Sequence, residues 1–439
     1  MNIGVYGLWH LGCVTAACIA SVGHRVLGID DDAQVVDNLK KGTAPVAEPG
    51  LTDLIQQELR RANLSFILTE PAQLSDLDLL WVAFDTPVDD EDRADVEWVL
   101  DRVFRILPRL PRGCVVLVSS QLPVGSVARL QEAALHICPE SQLKFGCSPE
   151  NLRLGDALNV FLHPDRIILG VDSQEATARL SEMFAPMNAR LEWMSIASAE
   201  MTKHAINAFL ATSVVFANEI AILCERSGAD AKEVERGLKT EMRIGPKAYL
   251  SPGGPFAGGT LARDIYFLSL AGEQYGLQIH LIKSVRLSND EHRAWIRRKI
   301  EFYFPALKGV RIAVWGLAYK AGTDTLRRSG SVELVNWLLS KGAVVSTYDP
   351  LVKTLPSDWI SVRHCDTALA AASDVQLIVL TMKFESLAST LEQMVHITHP
   401  MPLVIDPNRL IDAIRKQKQS DFESIQCISV GTPDKGRLS

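Results

Sequence analysis

One pattern occurs twice in this 439-residue chain and constrains its fold more than any other feature. Near the N-terminus the apolar run NIGVY is followed by a glycine turn, a stretch of small residues and a second apolar run, RVLGIDDD. From residue 311 the order returns as RIAVWGLAYK, ELVNWLLSKG and AVVSTYDP. Strand, glycine turn, helix and strand within about 30 residues is typical of a doubly wound parallel sheet. The sequence therefore predicts an α/β protein with two Rossmann-like domains.

The segment between the two patterns predicts helices. Residues 199–228, AEMTKHAINAFLATSVVFANEIAILCERSG, carry apolar residues at helical spacing and end at a glycine. We expect a long helix there, within the middle one of three domains at 1–195, 196–300 and 301–439. This central helix joins the two Rossmann-like domains. One face of such a helix packs on its own domain, and the opposite face needs a partner to pack against, which favours a homodimer through the central helices. Further apolar runs at LDLLWVAF, CVVLVSS and RIILGV are expected to extend the first sheet as parallel strands.

Composition excludes several classes of partner. A net charge of −7 argues against nucleic acid as the main ligand. The eight cysteines show no C-x-x-C pair and no metal-ligand spacing, and most lie in apolar runs. No signal peptide precedes the first strand, and no apolar run reaches the roughly 18 residues of a membrane span. We expect a reduced, cytoplasmic protein that binds neither membrane nor metal.

The first glycine turn, GLWHLG, resembles the dinucleotide-binding motif G-x-G-x-x-G. Gly7 permits the tight bend and Gly12 lets helix and strand approach, while Asp30 ends the second strand. A carboxylate there accepts hydrogen bonds from a ribose and repels a 2′-phosphate, which favours NAD over NADP. The middle glycine is replaced by Trp9. Either its ring points away from the turn and weakens the cofactor site, or it fills a site that no longer binds NAD.

Segments along nearly the whole chain resemble the UDP-glucose/GDP-mannose dehydrogenases, NAD-dependent enzymes that oxidise a nucleotide sugar at C6. These segments, in chain order, are NLKKGTAPVAEPGL, FDTPVDDEDRADVEWV, SSQLPVGS, CSPENLRLGDAL with HPDRIILG, AEMTKHAINAFLAT with NEIA, RIG, SPGGPFAGGTLARDI, and GLAYKAGTDTLRRS with YDP. The three-part architecture of that family fits the three expected domains.

The resemblance implies roles for individual residues. An NAD site is implied for the turn and for residues that line the family's cofactor site, namely Gly7, Trp9, His10, Leu11, Gly12, Asp30, Thr86, Pro87, Ser120, Arg263 and Arg327. Catalytic roles are implied for Glu150, Lys203, Asn207, Thr260 and Asp264, because PENLRLG, TKHAIN and the loop ending in LARD match the family's active-site segments. Contacts to the nucleotide sugar are implied for Arg243, Tyr249, Leu250, Ser251, Gly253, Phe256, Gly258 and Lys320.

The same resemblance exposes one departure. The family's catalytic loop, G-F-G-G-S-C-F-P-K-D, carries a cysteine that forms a thiohemiacetal, so that a second hydride can leave. Here the loop is PFAGGTLARD, with Thr260 at the cysteine position, and no cysteine lies between Cys224 and Cys365. Because a hydroxyl is a far weaker nucleophile than a thiol near neutral pH, the thioester route is not expected.

Three interpretations follow. The protein is an NAD-dependent nucleotide-sugar dehydrogenase that makes one two-electron oxidation, the interpretation that we favour. Alternatively it reaches a uronic acid by water attack on a hydrated aldehyde under Glu150 and Thr260. In the third, it is a catalytically silent protein that binds NAD or a sugar nucleotide and regulates a biosynthetic cluster.

Overall fold

A computed structural model describes residues 1–439 except 70–73, 90–92, 151, 258, 320–321, 398–399, 419–421 and 434–439. The chain forms two compact units, Met1–Ile206 and Asn207–Ser439. We call them the first and the second unit.

The first unit is built on one eight-stranded sheet with strand order β3-β2-β1-β4-β5-β6-β7-β8, counted over the described residues. Its strands are β1 (Asn2–Tyr6), β2 (Arg25–Asp30), β3 (Leu64–Leu68), β4 (Leu79–Val82), β5 (Val115–Val118), β6 (Lys144–Cys147), β7 (Ile167–Val171) and β8 (Leu191–Met194). The two central strands carry continuous apolar runs, because a doubly wound sheet is covered on both faces. Separate apolar clusters accordingly pack on its two faces.

Seven helices of the described chain cover this sheet. They are α1 (His10–Ser21), α2 (Ala33–Lys40), α3 (Leu51–Arg60), α4 (Val96–Ile106), α5 (Ser126–Ile137), α6 (Ala157–Leu162) and α7 (Gln174–Phe184). Residues Leu11–Ala20 of α1 are all buried, since their small side chains let the helix lie close to the strands. Asp32 caps α2 by accepting from the amides of Gln34 and Val35.

The run RIILGV does not extend the sheet in parallel, and this expectation was wrong. Strand β7 pairs antiparallel with β6, with Gly146 opposite Val171, and then parallel with β8. A parallel return needs a long crossover over the sheet. Residues 148–166 contain only the six-residue α6 in their described part, so the chain turns back and enters β7 from the opposite end.

A 32-residue helix, α8 (Ile196–Ser227), runs from the first unit into the second, as the sequence predicts. Gly228 follows it with a φ of +80°, a conformation that favours glycine. Among the described helices it is the one long and apolar enough to cross a membrane by length and composition. Three of its buried polar side chains, Glu200, Lys203 and His204, have protein partners, and it is a core helix of the protein.

The second unit continues with helices and ends in a smaller sheet. Its first helices are α9 (Ala231–Thr240), α10 (Thr260–Gln274), α11 (His280–Arg293) and α12 (Trp295–Tyr303). A six-stranded parallel sheet follows, in the order β11-β10-β9-β12-β13-β14 for the described residues. Its elements are β9 (Arg311–Trp315), α13 (Gly330–Ser340), β10 (Val344–Tyr348), β11 (Arg363–His364), α14 (Ala368–Ala371), β12 (Leu377–Leu380), α15 (Leu387–Ile397), β13 (Leu403–Ile405), α16 (Leu410–Lys418) and β14 (Cys427–Ile428).

The fold class predicted from the sequence is confirmed: two doubly wound sheets, with a long helix between them in the chain. The three-part domain division stays a prediction, because the second unit holds both the central helices and the second sheet. All eight cysteines are free, and five of them are buried. In the described part of the chain, no group of three or more His, Cys, Asp or Glu side chains could hold a metal ion.

Candidate active site

The turn between β1 and α1 has the close approach that the glycines predict. Gly7 has a φ of +95°, and a Cβ placed on it would lie 2.5 Å from the ring of Phe84. A Cβ on Gly12 would lie 1.6 Å from the carbonyl oxygen of Gly7. Neither position tolerates a side chain, so the start of α1 lies directly against the turn. A backbone cradle of this kind fits a pyrophosphate at the helix N-terminus.

Two carboxylates hold this turn in place. Asp30 Oδ2 accepts from the amide of Leu8 at 2.6 Å, and Oδ1 accepts from Asp32 at 2.9 Å. Asp85 accepts from the amide of Leu11 at 3.1 Å. Burial raises the pKa of Asp30, although the backbone donors oppose this shift. Asp30 therefore fixes the turn and ends β2, the position at which this fold carries the acid that accepts from a cofactor ribose.

Trp9 takes the middle position of the turn with a φ of −96° and a ψ of −144°, and the residue is 51% exposed. Trp9 is the N-cap residue of α1, and its side chain makes no capping hydrogen bond to the described first turn of the helix. The neighbouring His10 is turned inward instead, with Nε2 2.9 Å from Glu48 Oε2.

The remaining candidates for the cofactor in the first unit lie at the carboxyl ends of β4 and β5. Thr86 donates its hydroxyl to the carbonyl of Gln121 at 2.9 Å, and Pro87 follows it in the chain. Ser120 is buried, and its hydroxyl has no partner among the described residues. A buried hydroxyl without a partner suits a ligand atom. Ser120 lines a small cavity of about 20 Å³ together with Glu150, Glu200 and Lys203.

Lys203 and Glu150, two of the candidate catalytic residues, lie together in the first unit. Lys203 is 8% exposed, and its Nζ donates to the carbonyl of Glu150 at 2.5 Å. The same Nζ is 3.6 Å from the Glu150 carboxylate. A buried ammonium is retained only where it is paired, which is the case here. The helix α8 thus presents a fixed cation beside Ser120 and Glu150.

Two neighbours of Lys203 on α8 hold it in position, and sequence reasoning missed both. Glu200 accepts from the amides of Gly125 and Val127 at 2.7 and 3.0 Å, where α5 begins. His204 Nε2 lies 3.0 Å from the carbonyl of Leu122. Burial raises the pKa of Glu200, and the two amide donors oppose this shift. Glu200 lies three residues before Lys203 and four before His204 on the helix, and this spacing was the signal in the sequence that could have identified them.

Asn207, Thr260 and Asp264 belong to the second unit. Asn207 donates its side-chain amide to Asp264 Oδ2, and Asp264 is fully buried. Thr260 is the first residue of α10, directly after Gly259, whose φ is +96°. Its side chain is exposed. Thr260 and Asp264 are one helical turn apart, as are Lys203 and Asn207 on α8.

The loop 251–257 is held from four sides by residues distant in sequence. Ser251 donates to Glu235 at 2.6 Å, and the amide of Gly253 donates to Asn218 at 3.0 Å. Asn289 exchanges two 2.9 Å hydrogen bonds with the backbone of Phe256. Side chains of His292 and Asn408 contact the carbonyl of Gly253 and the amide of Gly254. The sequence gives no signal for these amide side chains, because their spacing follows from the tertiary fold.

This loop borders a cavity of about 780 Å³ in the second unit. Apolar and charged side chains both line the cavity, and the cationic side chains outnumber the carboxylates. Arginines and lysines among the lining residues are Arg286, Arg293, Arg297, Arg328 and Lys383, and the carboxylates are Asp290 and Glu333. Arg328 has a φ of +62°, an uncommon conformation for a side-chain-bearing residue and one that clusters at functional sites. A cavity of this size and charge suits a phosphorylated ligand.

Apart from the loop 251–257, the described substrate and cofactor residues that the sequence predicts do not line this cavity. Tyr249 and Arg243 are exposed, and Arg243 pairs with Glu241 at 2.9 Å. Leu250 is half-buried, Arg327 is exposed and Arg263 is half-buried. Gly258 and Lys320 lie outside the described residues.

The second glycine turn repeats the first in its geometry. Gly316 has a φ of +96°, and Asp349 Oδ2 accepts from the amides of Leu317 and Ala318 at 2.7 and 3.0 Å. Asp349 Oδ1 accepts from Leu351 and Val352. With four amide donors and 3% exposure, this carboxylate is fully occupied within the fold. Asp349 therefore holds the turn but keeps no acceptor site for a ribose, in contrast to Asp30.

Comparison with known proteins defines the class of this fold and site. Models of the UDP-glucose/GDP-mannose dehydrogenase family match residues 1–188 (NAD binding domain), 197–291 (central domain) and 313–413 (UDP binding domain). A UDP-glucose 6-dehydrogenase of Pseudomonas aeruginosa is 30% identical over 425 residues, covering 93% of this chain and 94% of that protein. One from Bacillus subtilis is 32% identical over 352 residues, 80% of each chain.

Solved structures agree. A UDP-glucose dehydrogenase from Pyrobaculum islandicum superposes with a TM-score of 0.80 at 29% identity, covering 92% of this chain and 93% of the other. A UDP-D-ManNAc dehydrogenase from Pyrococcus horikoshii shares the fold, with a TM-score of 0.82 at 23% identity. The class is that of the NAD-dependent nucleotide-sugar dehydrogenases. The chain belongs to the UDP-glucose/GDP-mannose dehydrogenase family.

Proposed function

We propose that this protein oxidises one CH–OH group of a UDP-glucose-like nucleotide sugar and stops after a single hydride transfer. The observation that carries the proposal is Thr260, which stands where the resemblance places the family's thiol, in a chain without cysteine between Cys224 and Cys365. The carbon loses a hydride and the hydroxyl loses a proton, which gives an aldehyde or ketone, NADH and H⁺. NAD, when bound, supplies the hydride acceptor.

The protein's own residues supply the rest of this reaction. The buried ammonium of Lys203 stabilises an alkoxide that forms as the hydride leaves, because a fixed charge needs no reorganisation. Asn207, held by Asp264, orients a water or the reacting oxygen. Glu150 keeps Lys203 in place through both its carbonyl and its carboxylate. None of these roles requires a thiol.

Binding roles follow the same assignment. We assign NAD to the turn at Gly7–Gly12, with Asp30, Thr86, Pro87 and Ser120, and the nucleotide sugar to the second unit. The clamped loop 251–257 and the cation-rich cavity beside it support the second assignment, since a diphosphate needs compensating positive charge. Roles for Arg243, Tyr249, Leu250, Gly258, Arg263, Lys320 and Arg327 rest on the resemblance alone.

The stoichiometry of NADH tests the proposal directly. Purified protein is incubated with NAD and a panel of UDP- and GDP-sugars, and the NADH formed is counted for each sugar consumed. We expect one NADH per sugar and a carbonyl product that a hydroxylamine reagent traps. Two per sugar would support the non-thiol route to a uronic acid. Sugar-nucleotide binding with no NADH across the panel would support the silent regulatory protein.

A substitution tests the role of position 260. In Thr260→Cys, a thiol at the start of α10 restores the missing nucleophile, and we expect the yield to rise from one towards two NADH per sugar. Thr177→Cys on α7 is the matched control, because it adds a thiol outside the site. A Thr260→Cys protein that still yields one NADH, with its hydride transfer intact, contradicts the argument that the thiol limits the reaction.

We also propose a homodimer through the central helices, a cytoplasmic location and the domain division at 195 and 300. Phe209, Phe216 and Leu223 repeat every seven residues along α8 and are all exposed, which supports a helix-to-helix interface. Eight free cysteines support a reducing compartment. The three ranges matched by the family models support the division.

A further inference from the structure

We infer that Glu48 is a positioning residue that couples the NAD-binding turn to the segment carrying Glu150. Its side chain has no exposed surface. Oε2 accepts from the amide of Gly155 and contacts His10 Nε2, each at 2.9 Å, and Oε1 accepts from the amide of Ala157 at 2.9 Å. These partners are 38, 107 and 109 residues away in sequence. One buried carboxylate thus links two segments that are far apart in the sequence.

The charge of Glu48 is required for this arrangement. Burial disfavours the ionised form, but the donors from Gly155, Ala157 and His10 outweigh it and lower the pKa of Glu48. An ionised carboxylate accepts at both oxygens, whereas a glutamine in its place presents an NH₂ group on one side. At least one of the three donors would then face another donor. The junction is therefore specific for glutamate.

The partners of Glu48 lead to both parts of the proposed chemistry. His10 is the first residue of α1 and stands between Trp9 and Leu11 in the turn. On the other side, Gly155 and Ala157 close the segment that begins at Glu150, whose Oε2 accepts from the amide of Leu152 at 2.5 Å. The carbonyl of Glu150 in turn accepts from Lys203. All of these contacts lie within the first unit.

This connection implies coupling between cofactor binding and the geometry of Glu150. A cofactor that orders the turn at His10 also orders residues 152–157 through Glu48, and with them the contact to Lys203. Since such coupling is reciprocal, loosening the segment weakens the cofactor. The inference rests on the proposed roles of the turn and of Glu150, but not on the number of hydrides transferred.

Hydrogen exchange and calorimetry test it without turnover. In the unaltered protein, NADH is expected to slow amide exchange at residues 152–158, although these residues are outside the turn. In Glu48→Gln we expect this protection to disappear and the Kd for NADH to rise about tenfold, within the usual range of coupling. Glu58→Gln is the matched control, a buried carboxylate of the same unit that accepts from Arg61 and Asn63. It is expected to change stability alone.

A second variant covers the case in which Glu48→Gln does not fold. His10→Phe leaves both amide contacts of Glu48 and removes only the connection to the turn, so at NADH concentrations that saturate this variant we expect no protection of residues 152–158. The inference is overturned if NADH protects this segment equally in either variant, or if it protects nothing there in the unaltered protein. Protection and NADH binding in a protein that oxidises no sugar would refute the proposed function and leave the coupling intact.

Discussion

Gly12 places the first turn of α1 directly against the carbonyl of Gly7, and this position has the least room of any described glycine. In Gly12→Ala, the new Cβ would lie 1.6 Å from that backbone oxygen, so the turn itself must shift. We expect a loss of roughly 3 kcal/mol or more in the free energy of unfolding, together with loss of NADH binding.

Gly237 provides the control for this substitution, because it is also helical and an added Cβ there meets nothing within 4 Å. Gly237→Ala on α9 should raise the free energy of unfolding by about 0.5–1 kcal/mol. Urea unfolding measures both variants. Equal effects of the two substitutions would mean that the close contact at the turn does not determine its stability.

Trp9 permits a different test at the same turn. Its φ of −96° lies outside the left-handed region that favours glycine, and the half-exposed indole belongs to the turn whose backbone fits a pyrophosphate. We expect Trp9→Gly to bind NADH about tenfold more tightly, a gain of about 1.4 kcal/mol, with little change in fold. Isothermal titration measures it. Weaker binding in the variant would instead show that the indole itself contacts the cofactor.

Residues near one another in sequence were the ones that sequence reasoning could place. The turn and Asp30 follow from a local motif, and the structure places them together. The pair at 203 and 207 follows from the resemblance, which their helical spacing fits. Glu48 and Asn408 could not be found this way, because their partners lie 107 and 154 residues away. Hydrogen bonds of that range depend on the assembled fold.

At the scale of elements, the apolar periods predicted both sheets and the bounds of α8, because burial determines those periods. The direction of β7 was not predictable in the same way. An apolar strand buried on both faces looks the same whether it runs parallel or antiparallel, and only the length of the connection distinguishes the two.

Glu235 joins helix α9 to the loop 251–257, and this contact has a pH dependence. Burial disfavours its charge, but Lys232, Lys239 and Ser251 lower the pKa of Glu235 to about 2. A carboxylate with a depressed folded pKa stabilises the protein above its unfolded value of 4.5, and this stability is lost as pH falls from 4.5 towards 2.

Glu235→Gln is therefore expected to lower the free energy of unfolding by about 1.5–3 kcal/mol at pH 7, the range for hydrogen bonds to a charged group. The difference from the unaltered protein should shrink as pH falls below 4.5. Denaturant unfolding at pH 7 and at pH 3.5 measures it. A difference that is constant with pH would mean that the Glu235 charge does not hold the loop.

At the scale of the whole molecule, the exposed apolar stripe on α8 determines the expected assembly. Phe209, Phe216 and Leu223 are 71%, 45% and 65% exposed, and their seven-residue spacing places them along one side of the helix. Light scattering is expected to give the mass of a dimer. In Phe216→Glu, a charge at the middle of this stripe should raise the dimer dissociation constant about thirtyfold or more, as the loss of about 2 kcal/mol implies. Ile360→Glu is the control, since Ile360 is 94% exposed and lies away from α8 in sequence. A monomeric unaltered protein, or a Phe216→Glu protein that dimerises as well as the control, would show that this stripe is not the interface.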